Sequence, residues 1–366
     1  MKQSLISKID HLLIPETATI TAALKQMDSV DKKLLIVMDI DNEFKSIVSV
    51  GDIQRNLIKN QDFKATVLSV LRSDIKTAYA GQSMEQIKKE MLKFRMELMP
   101  VISLDNKLLD VIFWEDIFEE KHTSAKGSLN IPVVIMAGGR GSRLKPITNI
   151  IPKPLIPIGE KTIAEHIIEK FVASGSSTFY FTVNYKSEMI EGHFETIKNK
   201  NYTIHYLKEN EPTGTAGSLS LLKEKIKTTF FVSNCDIIVN QDYEEIYKYH
   251  KENNNELTLV GALKNYSIPY GTLNLTKGGL LKTIEEKPEH NILVNAGFYI
   301  IEPHLLKEIP NNTFFHITHL MEKILERNGR IGVFPVSEAS WMDIGNWVEY
   351  NETLKKFGEK VYLNNA

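Results

Sequence analysis

The sequence predicts an α/β protein whose larger, C-terminal domain carries a mostly parallel mixed sheet, preceded by a smaller α+β repeat pair. Three observations predict it. The first third of the chain repeats itself without a gap, a polar stretch follows, and beyond that stretch short apolar runs alternate with segments of helical spacing. Alternation of this kind implies helices covering a central parallel sheet. The chain has 366 residues, which at about 150 per domain is room for two or three domains.

The repeat comes first. Leu34–Asn42 continues to Ile47–Ile53, and Leu98–Asn106 continues to Val111–Ile117; Asp41 pairs with Asp105 and Asp52 with Asp116, both at an offset of 64 residues. Each copy reads helix, strand, Asp-Asn turn, strand, helix, because Asp-Asn between two apolar runs is hairpin chemistry. At these residues the segment resembles a tandem pair of CBS modules, over 1–60 and 61–120. The resemblance implies a regulatory adenine-nucleotide site at a Thr or Ser followed three positions later by Asp. Ser49 and Asp52 match that pattern; the second copy has Phe113 in place of the hydroxyl, so only Asp116 matches there. A hydroxyl and a carboxylate at a strand-to-helix junction can bind a ribose, with helix N-terminal amides left for phosphate. The same aspartates would also serve as helix N-caps.

Residues 121–130 are small, polar and aperiodic, the composition of a linker, so a second domain is expected over 131–357. Ile131–Met136 suits a buried parallel strand. Helical spacing follows at Ile163, Ile167, Ile168, Phe171 and Val172, and stops at Ser174-Gly175. Strands are expected at 178–183, 203–207, 229–233 and 256–263, and helices around 189–197, 217–226 and 242–251. The stretches 271–275, 280–285 and 292–301 read as a mixed-sheet substrate lobe. In such sheets ligands sit at the carboxyl ends of the strands.

After the first strand of this domain comes Ala137-Gly138-Gly139-Arg140-Gly141-Ser142-Arg143-Leu144-Lys145-Pro146. No Gly-Lys-Ser/Thr closes it, so it is not a Walker loop, and Leu144 occupies the third glycine position of a dinucleotide fingerprint. A tight turn would explain the glycines alone. A polyphosphate ligand explains the glycines and the nearby cations Arg140, Arg143, Lys145 and Lys153 together, since glycines let backbone N–H groups approach phosphate and cations neutralise it.

Taken with Pro152-Lys153-Pro154-Leu155, this loop resembles the signature of sugar-1-phosphate nucleotidylyltransferases, and implies a Rossmann-like nucleotidyltransferase domain. Further matches follow in order: Glu211–Gly217, Asn234-Cys235-Asp236, Tyr270-Gly271, Glu285–Pro288, Asn295–Gly297 and Trp341–Gly345. The sequence departs from the family's pattern at Asn346-Trp347 and at Lys161-Thr162. The resemblance implies that a nucleoside triphosphate and a sugar 1-phosphate give a nucleotide sugar and pyrophosphate, by in-line attack of the sugar phosphate on the α-phosphorus. Asp236 and Asp343 would hold Mg²⁺, which takes one or two carboxylates beside phosphates and waters. Arg143, Lys153, Asp236 and Lys287 would be catalytic. Ala137, Gly138, Gly139, Gly141, Ser142 and Arg143 would cradle the triphosphate, with Glu209, Glu211 and Gly214 at the base. Gly271, Glu286, Lys287 and Asn295 would bind the sugar phosphate.

Guanine presents N–H donors on its pairing edge, which suits an acceptor-only carboxylate, whereas a glutamine suits uracil or thymine better. Glu209 or Glu211 therefore points to GTP. The regulatory-module-plus-transferase layout resembles guanylyltransferases acting on glucosamine 1-phosphate in legionaminic-acid pathways. Mannose 1-phosphate with GTP is the next expectation and a UTP enzyme the third. A non-catalytic nucleotide-sensing subunit is the alternative outside this class.

Composition bounds the rest. Forty-four Lys and Arg against 46 Asp and Glu give a net charge of −2, without the basic field that nucleic acid requires. Cys235 is the only cysteine, so no intramolecular disulfide forms, and it reads as a small buried residue. No apolar run reaches about 18 residues and no signal-peptide layout opens the chain, so a cytoplasmic protein without a membrane partner is expected. His316 and His319 lack the His-Glu-x-x-His pattern of a zinc site. CBS pairs commonly associate face to face, so the resemblance implies a homo-oligomer, a dimer or higher.

Overall fold

A computed structural model describes residues 9–358 apart from 31, 73–74, 95 and 114–128. The expected site residue Asp116 and most of the expected linker lie outside the described residues. The chain divides into two compact units: Met1–Thr123 with Lys264–Ile292, and Ser124–Leu263 with Leu293–Ala366.

In the first unit, β1 (Leu13–Pro15), β2 (Leu34–Met38) and β3 (Phe44–Ser49) form one small sheet, with α1 (Ile20–Ser29) and α2 (Val50–Asn60). The second copy repeats the plan with β4 (Ala78–Tyr79), α3 (Met84–Phe94), β5 (Leu98–Ile102) and β6 (Leu108–Phe113). The Asp-Asn turns join antiparallel strands, Leu35 facing Val48 and Met99 facing Ile112. In both turns the asparagine takes positive φ, 61° at Asn42 and 57° at Asn106, a conformation Asn tolerates better than most residues. The short parallel strands β1 and β4 carry too few residues for a periodic pattern, and the sequence did not reveal them.

Ser49 and Asp52 take different roles from a simple aspartate cap. Ser49 is the N-cap of α2, and Asp52, three residues in, accepts from the Ser49 backbone N–H at 2.9 Å, completing a capping box. The Asp52 side chain is 2% exposed and bound by Arg55 and by Arg72, whose Nη2 also reaches Ser49 Oγ at 2.9 Å. Burial alone would raise the Asp52 carboxyl, but Arg72 and Ser49 hold it below its usual value.

The second unit is an α/β sandwich around a seven-stranded sheet. Its strands, of which β14 and β17 belong to this unit for most of their length, are β7 (Val133–Ala137), β10 (Thr178–Val183), β11 (Thr203–Lys208), β12 (Phe230–Asn234), β14 (Leu257–Ser267), β17 (Glu289–Ile301) and β18 (Ile331–Val336), in the order β11-β10-β7-β12-β17-β14-β18. β11, β10, β7 and β12 run parallel, β17 runs antiparallel to β12, and β18 is parallel to β14. The short pairs β8 (Pro157–Ile158) with β9 (Lys161–Thr162), and β13 (Ile237–Val239) with β19 (Trp341–Asp343), lie outside this sheet. The helices are α4 (Ile163–Ala173), α5 (Ser187–Thr196), α6 (Tyr243–Glu252), α7 (Ile317–Glu326) and α8 (Trp347–Lys356).

Alternation along β12 shows why both faces are covered. Phe231 packs with Phe171, Phe298 and Tyr243, while Phe230 and Val232 join an aliphatic core that includes Leu222, Leu320 and Ile324. Phe171 and Phe298 stack with centroids 5.5 Å apart. The period of two sends successive side chains to opposite faces, and each face has its own apolar layer.

One expectation is corrected. The helix expected over 217–226 is one α-turn, Gly214–Gly217, running into the 3₁₀ segment Ser218–Leu222. The amides of Ala216 and Gly217 both donate to Phe315 O at 3.0 Å, so a carbonyl from a distant segment satisfies donors of this first turn. The stretches expected as a mixed-sheet lobe include β15 (Thr272–Leu275) and β16 (Leu281–Glu285), which pair only with each other and are grouped in the first unit. Leu273 faces Ile284 there, and both are exposed.

Candidate active site

The parallel strands of the second unit deliver their carboxyl ends to one cavity of about 420 Å³. Met136 lies near the end of β7, Thr182 near the end of β10, Glu209 just past β11, and Asn234 ends β12; all four line it. The glycine loop forms another wall, through Gly138, Gly139, Gly141, Ser142 and Arg143. Ala137 is the buried last residue of β7 from which that loop departs.

The loop is held from below. Gly141 has φ +62°, and a Cβ there would stand 2.9 Å from Thr148 Cγ2, so glycine is required on both conformation and space. Thr148 donates its hydroxyl to Gly141 O at 2.9 Å. The Trp347 indole N–H donates to Lys145 O at 2.9 Å, tying the start of α8 to the loop's far end. Trp347 belongs to one of the two places at which the sequence leaves the family pattern, and here it is a fastening.

The charged groups converge beyond the loop. Lys153 is 7% exposed and ion-pairs with Asp236. Asp236 precedes β13, whose Ile237 faces Asp343 of β19 across an antiparallel pair. Ile344 N–H donates to Asp236 O at 2.8 Å, which brings the two carboxylate-bearing segments together. A Cβ on Gly345 would lie 2.7 Å from Asp343 Oδ1 and 2.9 Å from Arg143 Nη2. Asp343 Oδ1 is buried and has no hydrogen-bond partner. Burial, and next to it the charge on Asp236, raise the Asp343 carboxyl above its usual value. An orphaned buried oxygen beside a second carboxylate is what a divalent cation would satisfy. Among the described residues no three acidic, histidine or cysteine side chains gather as a metal cage, and Mg²⁺ does not need one.

Glu209 is half-buried. Its Oε2 accepts from Thr213 Oγ1 at 2.6 Å and Thr213 N at 3.2 Å, and its Oε1 stands where a side chain on Gly138 would be. Gly214 has φ +83°, and a Cβ there would meet Phe315 O at 2.8 Å, so only glycine lets the loop dock there. Glu211 is exposed and, like Glu209, borders a second cavity of about 270 Å³, whereas of the two expected base readers Glu209 alone lines the main one. Thr213, inside the matched stretch Glu211–Gly217, lines the main cavity, as do Thr182 and Phe314, which sequence reasoning missed. A lone threonine or phenylalanine outside the matched stretches carries no motif by which to find it.

The model of the Nucleotidyl transferase family matches residues 132–360. The chain belongs to that family. It is 33% identical over 222 residues to the mannose-1-phosphate guanyltransferase of Yarrowia lipolytica, covering 58% of this chain and 60% of that one. It is 30% identical over 249 residues to the enzyme of the same name from Saccharomyces cerevisiae, covering 63% and 64%. The chain thus spans about three fifths of the length of these relatives. Among solved structures it resembles HddC from Yersinia pseudotuberculosis, with a TM-score of 0.50, 26% identity, and coverage of 62% of this chain and 99% of that one. HddC has also been solved in complex with GMP-PN. In keeping with this family the second unit is a Rossmann-like α/β nucleotidyltransferase fold with a mixed, mostly parallel sheet.

Other expected site residues are placed as follows. Gly271, Glu286 and Lys287 lie in the first unit, where Glu286 Oε2 would stand 2.8 Å from a Cβ on Gly271. Asn295 lies in the second unit, and its Oδ1 accepts from Gly297 N at 3.0 Å. Cys235 is buried, which pushes its thiol up to about 12, far from a nucleophile's range. His319 Nδ1 accepts from His316 N at 3.2 Å, so the histidine pair caps α7. Among the described residues no helix is long and apolar enough to cross a membrane.

Proposed function

We propose that this chain is a sugar-1-phosphate guanylyltransferase, joining GTP and a sugar 1-phosphate to give a GDP-sugar and pyrophosphate. One observation carries the reading. A single cavity gathers an amide-lined glycine loop, the cations Arg143 and Lys153, and the carboxylates Asp236 and Glu209. Amides and cations suit a polyphosphate, and an acceptor carboxylate suits a base that presents N–H donors. The named relatives act with guanine nucleotides, and HddC was solved with one, which supports GTP. Those relatives favour mannose 1-phosphate over the glucosamine 1-phosphate suggested by the two-part layout, so mannose 1-phosphate is the first choice and glucosamine 1-phosphate the second.

The nucleophile is already an anion, so the chemistry needs no strong base. It needs two anions brought into line. The glycine-loop amides and Arg143 hold the outgoing phosphates. Lys153 sits beside the reacting centre and stabilises charge as it develops on the phosphoryl oxygens. Asp236 and Asp343 are suited to hold Mg²⁺, which when bound supplies Lewis-acid neutralisation of phosphate charge. Glu209 accepts from the guanine edge while Thr213 keeps its carboxylate in place.

Regulation by an adenine nucleotide at Ser49 and Asp52 is a separate proposal. It requires Arg72 to yield Asp52 to the ribose. The test of the main reading is a pyrophosphate-release screen of four nucleoside triphosphates against hexose and amino-hexose 1-phosphates, with Mg²⁺. Release confined to GTP with mannose or glucosamine 1-phosphate upholds it. Release with UTP alone, or with no pair at all, ends it.

A further inference from the structure

We infer that Phe314 is the platform on which the nucleobase stacks. Its ring is 61% exposed yet lines the main cavity, next to the loop Thr213-Gly214-Thr215 that carries the acceptor end. A large aromatic ring left open at a cavity presents a π-face, and a planar base stacks on such a surface.

The ring stands on a rigid mount. On one side Phe315 N donates to Thr213 O at 2.8 Å, and Phe315 O receives Ala216 N and Gly217 N at 3.0 Å. On the other, Ile317 N donates to Thr215 Oγ1 at 3.1 Å, and His316 packs edge-on against Phe314 with centroids 4.7 Å apart at 79°. The base loop and the backbone on either side of Phe314 are therefore one hydrogen-bonded piece, which keeps the aromatic at the wall that also carries Glu209. Thr182 Oγ1, 1% exposed and without a partner, also lies on the wall of this cavity. The division of labour is then edge recognition by side-chain oxygens and face recognition by Phe314.

This inference rests on the nucleotide-binding reading, and the experiment separates the two. Steady-state kinetics and GTP-binding calorimetry are run on the full chain, on Phe314→Ala, on Phe314→Leu, which keeps an apolar volume without a π-face, and on Phe314→Trp. Loss of one base–aromatic stack is expected to raise KM for GTP about tenfold in the Ala and Leu variants. KM for the sugar 1-phosphate and kcat should hold, and Trp should restore GTP affinity. Thermal unfolding should stay put because the side chain is mostly exposed. Unchanged KM for GTP, or a change confined to the sugar 1-phosphate, overturns the stacking role and leaves the guanylyltransferase reading intact. Absence of GTP binding in the unsubstituted chain overturns both.

Discussion

Lys153 closes an ion pair on Asp236 from 83 positions earlier in the chain, and the two side chains are only 9% and 13% exposed. Each charge keeps the other acceptable in a secluded place. Without substrate, Lys153 does for Asp236 what a divalent ion and phosphates are proposed to do during turnover. Replacing Asp236 with Asn leaves the lysine without its counter-charge and removes a proposed Mg²⁺ ligand. Turnover in the pyrophosphate-release assay should fall about a hundredfold to a thousandfold, the scale of losing one electrostatic stabiliser at a reacting centre. Circular dichroism should show the fold retained. Turnover within a factor of two of the parent would take Asp236 out of the site.

Asp343 gives a prediction with a sign. Its carboxyl is raised by burial and by Asp236, so the folded chain holds its proton more tightly than the unfolded chain does. The stability tied to it is complete below the ordinary value near 3.8 and is lost as pH rises through the raised value. At neutral pH without Mg²⁺, Asp343→Asn should therefore melt higher than the parent while losing turnover. A calorimetric scan that finds it less stable would contradict the buried, unsatisfied carboxylate. Because Mg²⁺ competes with that proton, the acid limb of the rate profile should move to lower pH as Mg²⁺ is raised.

Glu209→Gln tests base recognition. The Thr213 hydrogen bonds to the side-chain oxygen can persist, but the acceptor-only edge is lost. KM for GTP should rise about tenfold, as expected for one hydrogen bond to a charged group. The preference for GTP over UTP should narrow. An unaltered nucleotide profile would place the guanine edge elsewhere.

Glu256 anchors a different corner of the second unit. Arg327 binds it through two nitrogens, at 2.9 and 2.6 Å, and His304 Nε2 lies 2.8 Å from Oε2. Arg327 is the main reason its carboxyl is held down at about 2. The associated stability is present above the ordinary value near 4.5 and drains away as pH falls towards about 2. Glu256→Gln should cost about 1 kcal/mol at neutral pH, the upper range for a well-formed surface pair. Its denaturation midpoint should also vary less than the parent's between pH 5 and pH 3, and equal slopes would dismiss the pair as a stabiliser.

In the first unit, Ser49→Ala removes the N-cap of α2 and a partner of Arg72. A loss of about 1 kcal/mol is expected, as for other cap deletions, read from urea denaturation.

The sequence by itself determined what is local and dense. The glycine loop, the strand run before it, the gapless repeat and its Asp-Asn turns are legible because turn chemistry and apolar periodicity act over a few neighbouring residues. Lys153, Asp236 and Asp343 could be nominated from motif resemblance, but nothing in linear spacing brings residues so far apart to one place. That was decided by parallel strands ending on one rim and by β13 pairing with β19. Only the tertiary structure separated Glu209 from Glu211, because two carboxylates two positions apart read alike until the main cavity is lined by one of them. It also turned an expected helix into a turn docked on Phe315 and left Phe314 standing open beside it. Hydrogen bonds between segments about a hundred residues apart hold that turn against Phe315, and such bonds leave no period in the chain.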